Sequence, residues 1–198
     1  YEYPRFTYPW HFHNEYEIIY VEKGEGDCLV GDSIIPYSEG DLILFGSGLP
    51  HSMQSPPDNS AESGYGMELG NGQESDSRED LRLRVKGVNV QFEKDFMHYS
   101  ISQYSQFIPI RNLLEDACRG IKFSVPRSGK IIRLLKRIPS AKGAEQIILL
   151  LSLLQMMATA DTWKYMTTSH YTPSPSIMRN ERMEKVIAYL NKHYTEPV

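Results

Sequence analysis

The 198-residue chain is predicted to be an α+β protein, a small antiparallel β-barrel followed by helices. Three observations lead there. Up to residue 92, short runs of alternating or wholly apolar residues are separated by glycine-containing turns, the pattern of a small barrel or sandwich. From residue 110 the apolar period changes to that of a helix. Between residues 167 and 180 the composition turns to Thr, Ser and Pro, the chemistry of a stiff extended linker.

The expected strands are 15–22, 27–30, 33–35, 41–45, 51–54 and 83–92. Gly24-Glu-Gly26, Gly31-Asp32 and Glu39-Gly40 supply the turns between them. In the last strand Leu83 and Val85 share one parity and Val88, Val90 and Phe92 the other, so a β-bulge at Lys86-Gly87 is expected to return the apolar set to one face. The stretch 54–80 carries seven acidic residues and one basic residue with little apolar periodicity, and is expected to be a long loop.

The helical part begins with Ile110, Leu113, Leu114 and Ala117, spaced i, i+3, i+4, i+7. Ile131, Leu134, Leu135 and Ile138 repeat that spacing, and residues 144–160 are denser still. Pro109, Pro139 and Gly143 fall near the helix boundaries. The last of these helices is apolar around most of its circumference, so it is either buried between the barrel and a neighbouring helix or meets a second subunit. After the linker, Met183, Val186, Ile187, Leu190 and Tyr194 form one more helical stripe, which reads as the start of a further, truncated unit.

A net charge of -4 and a pI near 5.9 argue against broad nucleic-acid affinity in this stretch itself. Cys28 and Cys118 have neither metal-knuckle nor disulfide-framework spacing, which fits a reducing, cytoplasmic setting. The apolar run 147–157 is too short to span a bilayer, so no membrane association is expected. The absence of an initial Met suggests a fragment, a processed chain or a trimmed one.

The most chemically specific feature is His11-Phe-His13-Asn-Glu-Tyr-Glu17. In an extended chain His11, His13 and Glu17 project from one face, and His51 joins them from another strand. Imidazole and carboxylate donors suit zinc, nickel, iron or manganese. The run His-x-His-x3-Glu-x6-Gly, closing at Gly24, resembles the first cupin motif. Gly40-Asp41 through Pro50-His51 resembles the second, with His51 in its ligand position. Gly46 stands where cupin enzymes usually carry proline and Ser55 where asparagine commonly ends the motif, and the first motif's leading glycine is missing near Arg5. These departures speak against catalysis.

Over nearly the whole chain the pattern resembles something narrower, the cupin-type (jelly-roll) sensor half of AraC-family transcriptional regulators. Pro9-Trp10-His11-Phe-His13, Glu39-Gly-Asp-Leu-Ile-Leu44, Val88-Asn-Val-Gln-Phe92, Ile110-Arg-Asn-Leu-Leu114 and Arg182-Met-Glu-Lys-Val186 carry the resemblance. It implies a barrel over 1–92, a helical dimerisation appendage over 93–166, a linker over 167–180 and, at 181–198, the first helix of a helix-turn-helix domain that continues beyond Val198. It further implies a small-molecule effector, a sugar or related metabolite, bound in the barrel, a homodimer through helices of 128–160, and DNA contacted only through the C-terminal domain.

No enzymatic activity is expected; the alternative is a metal-dependent cupin isomerase or dioxygenase. For His11, His13, Glu17 and His51 three readings stay open: one divalent metal, a metal-free cluster that hydrogen-bonds the effector, or buried groups that satisfy one another. Trp10 is the aromatic candidate for stacking on a ligand, since Tyr16 and Tyr20 have the parity opposite to Glu17. His98, His170 and His193 are expected at the surface.

Overall fold

The structure, a computed structural model, describes residues 1–6, 8–56, 85–124, 129–172 and 189. Its strands are β1 (Glu2–Tyr3), β2 (Tyr16–Lys23), β3 (Gly26–Val30), β4 (Ser33–Tyr37), β5 (Leu42–Phe45), β6 (His51–Gln54), β7 (Val85–Phe92), β8 (Ile121–Phe123) and β9 (Trp163–Tyr165). The α-helices are α1 (His98–Gln103), α2 (Ile108–Asp116), α3 (Lys130–Arg137) and α4 (Ala144–Ala158). Outside the described residues lie the acidic loop from residue 57, the start of the strand expected at 83, the linker from residue 173 and, apart from Tyr189, the terminal helical stripe with His193.

Two antiparallel sheets form the cupin-like half of this α+β fold. One has six strands in the order β1-β7-β2-β5-β8-β9, the other three in the order β4-β3-β6. Strands β8 and β9 lie within the segment 93–166 expected as a helical appendage, outside its three apolar stripes; three residues each, they are too short to show a period. Lys122 of β8 links the two sheets, because its Nζ lies 2.6 Å from Asp41 Oδ2 and donates to the Pro36 carbonyl at 3.0 Å.

Strand parity divides the interior into two cores. Ile19, Val21, Ile43, Phe45 and Val85 point inward with Cys28, Val30, Tyr37 and Met53 of the small sheet. Ile18, Tyr20, Leu42, Leu44, Val90 and Phe92 point the other way, against Ile110, Leu113, Ile132, Leu135, Leu153 and Leu154 of the helices. Both faces of the six-stranded sheet are therefore apolar, so β2 and β5 read as continuous hydrophobic runs rather than alternating ones.

This corrects the reading of β7. Val85 and the set Val88, Val90 and Phe92 do not share a face; each belongs to its own core, and no bulge is needed to reunite them. An irregularity does occur at that level, but in the neighbouring strand. Val21 pairs with Gly87 and Lys23 with Lys86, which leaves Glu22 as the extra residue. Gly87 is required there, because a Cβ would sit 1.9 Å from the Tyr20 carbonyl oxygen.

The helices are placed as their apolar stripes require. Pro109 occupies the first turn of α2, where its missing N–H costs nothing. α4 buries Leu149, Leu150, Leu153, Leu154 and Met157, yet leaves Ile147 and Ile148 exposed. Gly46, which follows β5, docks the helical part on the sheet: its N–H donates to the Ala117 carbonyl at 2.9 Å, and a Cβ would lie 2.5 Å from that oxygen.

Substituting Gly46→Ala is expected to destabilise the fold by roughly 1–3 kcal/mol through overpacking, and Gly46→Pro by more, since it also removes the donor. Leu153→Ala, emptying a fully buried position, should cost about 2–5 kcal/mol. Urea unfolding of the three variants checks both figures, and a Gly46→Pro protein as stable as wild type would contradict the docking role.

Candidate functional site

His11, His13, Glu17 and His51 come together between the two sheets, with one ligand atom from each lying within 4.8 Å of the others. They do so without a continuous strand, because β2 starts only at Tyr16. His11 instead forms a separate antiparallel bridge to His51, its N–H 3.1 Å from the His51 carbonyl and the reciprocal bond at 2.9 Å. His13 is fixed by its carbonyl, which accepts from Gly48 N–H at 2.7 Å; Gly48 has a φ of 72°, a conformation open to glycine. The opening histidine motif and the glycine-rich loop before His51 are thus two sides of one junction.

Each imidazole has the same orientation. Nδ1 of His11 faces the Pro9 carbonyl at 2.9 Å, Nδ1 of His13 the Glu15 carbonyl at 3.0 Å and Nδ1 of His51 the Leu49 carbonyl at 2.8 Å. A carbonyl only accepts, so the proton sits on Nδ1 and the Nε2 lone pair of a neutral ring faces the centre. Phe45 lies flat on His51, with centroids 4.2 Å apart and planes at 11°, and holds that ring's orientation.

Glu17 is the hub. Its Oε2 lies 2.9 Å from Nε2 of His51 and 3.2 Å from Nε2 of His13, while Oε1 accepts from Asn89 Nδ2 at 2.5 Å and Gln91 Nε2 at 3.2 Å. Burial opposes its ionisation, but the bonds from His13, His51 and Asn89 outweigh it and hold the carboxyl well below the usual range. The Glu17 hydrogen bond holds His13 above its ordinary value, against a smaller opposing effect of burial. His11 is pushed the other way, first by burial and then by His51.

This arrangement fits a divalent cation. With protons on all three Nδ1 atoms, the Nε2 atoms of His13 and His51 can donate to Glu17 only as imidazoliums, whereas neutral rings present three lone pairs and a carboxylate to one point. Imidazoles whose other nitrogen is bonded to a carbonyl are the usual supporting pattern of histidine metal ligands.

A cavity of about 150 Å³ opens on this floor. Its lining combines the polar Glu17, His11, His51, Asn89 and Gln91 with the apolar Ile19 and Met53 and the aromatic Tyr1, Tyr3, Phe6 and Tyr8. Half-buried Trp10 lies outside that lining. Tyr16 and Tyr20 pack on the helix side as their parity requires, and His98 and His170 are exposed. Asn89 and Gln91 escape sequence reasoning because polar residues alternating with Val88, Val90 and Phe92 look solvent-facing. The signal that identifies them is the sheet pairing that sets Gln91 opposite Glu17.

Comparison with known proteins agrees with the motif. Residues 1–69 match the family described as the AraC-like ligand binding domain, a stretch that contains all four residues of the cluster. None of the curated proteins compared matches the chain. Among solved structures, ToxT of Vibrio cholerae bound to an unsaturated fatty acid aligns with a TM-score of 0.49 and 15% identity, over 100% of this chain and 63% of that one. A second ToxT structure from Vibrio cholerae, bound to (E)-4-(8-methylnaphthalen-1-yl)but-3-enoic acid, aligns with a TM-score of 0.42 and 13% identity over the same shares. The chain therefore spans less than two thirds of the length of either.

The site predicts opposite pH trends with and without a cation. In chelator-treated protein the His13–Glu17 pair stabilises fully below the ordinary histidine value of 6.5 and is lost as pH rises through His13's raised folded value. The Glu17 contribution is present above its ordinary value of 4.5 and is lost as pH falls toward its depressed one. Zinc needs deprotonated imidazoles, so the rise in Tm that it causes should grow from pH 6 to 8. Thermal melts across that range check this, and a zinc effect that shrinks with pH, or survives His11→Ala with His51→Ala, would remove the cation from this site.

Proposed function

We propose, from the match of residues 1–69 to the AraC-like ligand binding domains, that the chain is the effector-sensing part of a cytoplasmic transcriptional regulator. A small molecule binds in the barrel cavity and shifts DNA binding by a C-terminal helix-turn-helix domain. The observation that carries this reading is the covalent and hydrogen-bonded continuity between the cavity floor and the segment that leads toward residue 173.

His51 is bonded on one side to His11 and pairs on the other with Val30, the last residue of β3. The next residue, Gly31, donates its N–H to the Pro50 carbonyl at 2.9 Å. Asp32, at the tip of that turn, accepts from the Thr168 N–H at 3.0 Å and from the Thr168 hydroxyl. Arg119 closes the other side by donating to the Thr168 carbonyl at 2.9 Å, with its guanidinium 3.9 Å from the centre of the Tyr165 ring. Gly31 has no room for a side chain, since a Cβ would lie 2.7 Å from Thr167 Cγ2. A ligand that displaces His51 thus acts on the turn that grips Thr168, and its effect equals its preference for one arrangement over the other.

Two finer parts belong to the same reading. One divalent cation, zinc, nickel, iron or manganese, would be held by His11, His13, Glu17 and His51 and would supply a fixed positive charge on the cavity floor. The exposed Ile147 and Ile148 of α4 would lie in a homodimer contact. Binding rather than turnover is supported by the use of Gly46 to dock the helices. A metal-dependent isomerase or dioxygenase is the competing reading, favoured by the His/Glu donor set, and catalytic turnover of a ligand found by screening would establish it.

The decisive experiments use the full-length protein. The reading frame beyond Val198 should encode two helix-turn-helix units, and their absence would sink the regulator. A thermal-shift screen of sugars, sugar acids and other metabolites identifies the effector, because a ligand that binds only the folded state raises its Tm. In a reporter assay Asp32→Ala should leave effector affinity within about twofold while reducing the effector response several-fold. An unchanged response would show that the Asp32–Thr168 contact carries no signal.

A further inference from the structure

The sensing reading leaves the chemical class of the effector open, and the cavity narrows it. A volume of about 150 Å³ is that of a cavity known to admit benzene, roughly 150 Å³, so this pocket, open to solvent at one side, has room for one six-membered ring. Its walls are predominantly aromatic and aliphatic. Tyr3 and Tyr8 at its edge are 47% and 57% exposed, large apolar surface for a ligand ring to cover. Tyr1 stacks on Tyr3 with the planes at 13°, and Tyr8 lies 5.3 Å from the His11 ring.

The polar groups of the floor are mostly committed. Both oxygens of Glu17 already face nitrogen donors, and Asn89 and Gln91 each give it one amide N–H. The Nδ1 atoms of His11 and His51 point away to carbonyls. A polyol would set several of its hydroxyls against the aromatic and aliphatic walls, where unpaired hydroxyls are costly. In the cation-free protein a carboxylate ligand would meet the Glu17 carboxylate across the same small space, a like-charge contact that disfavours it. What the floor offers the cavity is Nε2 of His11, an acceptor.

We propose that the cavity takes an uncharged single-ring hydroxyaromatic molecule, its ring against the tyrosine and phenylalanine walls and its hydroxyl donating to Nε2 of His11. Aromatic walls favour an aromatic guest through edge-to-face and offset contacts. A hydroxyl suits either state of the floor, since it donates to a free imidazole and its oxygen has lone pairs for a cation. The proposal rests on the sensing reading and specifies its ligand.

The test is calorimetric titration of the full-length protein with phenol, toluene, benzoate and glucose, in chelator-treated and zinc-supplemented samples. Phenol should bind at least tenfold more tightly than the other three in chelator-treated protein, and more tightly than toluene and glucose with zinc. Tyr8→Ala, at an exposed position that does not threaten folding, should weaken phenol at least threefold. His11→Phe should bring phenol and toluene to within about twofold of each other; if that variant does not fold, the wild-type ligand series with Tyr8→Ala decides. Preference for glucose, or for benzoate in chelator-treated protein, lost in Tyr8→Ala, would overturn the ligand class and leave the cavity as the sensing site. Equal binding of phenol and toluene would overturn the hydroxyl contact. Binding by none of the probes would overturn the class as well, while the sensing reading would still stand or fall on the reporter assay with screened effectors.

Discussion

The carboxylate of Glu17 is the constraint around which the barrel is arranged. It is 4% exposed, and a buried charge without partners would cost several kcal/mol. Its four partners come from separate places: His13 before β2, His51 on β6, Asn89 and Gln91 on β7. Satisfying this one side chain therefore fixes the register of β7 against β2 and the distance between the two sheets at that end. It also sets where the floor of the cavity lies. The surrounding apolar residues supply burial energy without saying how the strands align; Glu17 says it.

Much of this is legible in the sequence because the information is local. His11, His13 and Glu17 lie within seven positions, and His51 follows a glycine-rich loop whose spacing resembles a known motif, so the four residues stand out together in the chain. The helices are legible for a similar reason: α2 and α3 each carry a 3.6-residue stripe over eight or more positions, and α4 is a longer, almost wholly apolar run. Asn89 and Gln91 are not legible, because their role depends on a strand pairing more than seventy positions away in sequence. Strands β8 and β9 are hidden by brevity. Their three-residue runs acquire meaning only once β5 offers an open edge to Ile121–Phe123. Trp10 draws notice as a large aromatic beside the histidines, yet the aromatic walls are supplied by Tyr1, Tyr3, Phe6 and Tyr8, ordinary in spacing.

Gly46 joins the two halves of the molecule in a way composition alone conceals. In the motif it resembles a loss, a glycine where catalytic relatives of the motif carry proline. In the fold it is a gain, because the freed N–H and the missing Cβ let the carbonyl of Ala117 approach. The loop that delivers His51 is thereby braced against the end of α2. The same few residues set the position of a site histidine and the seating of the helices.

The two-sided character of β2 has one more consequence. Its odd positions, Glu17 and Ile19, face the cavity, while the even positions, Ile18 and Tyr20, face the helices. Cavity lining and helix docking are thus written on alternate letters of one strand. Substitutions at odd positions change the cavity wall while the helix-facing core keeps its side chains, and those at even positions do the reverse.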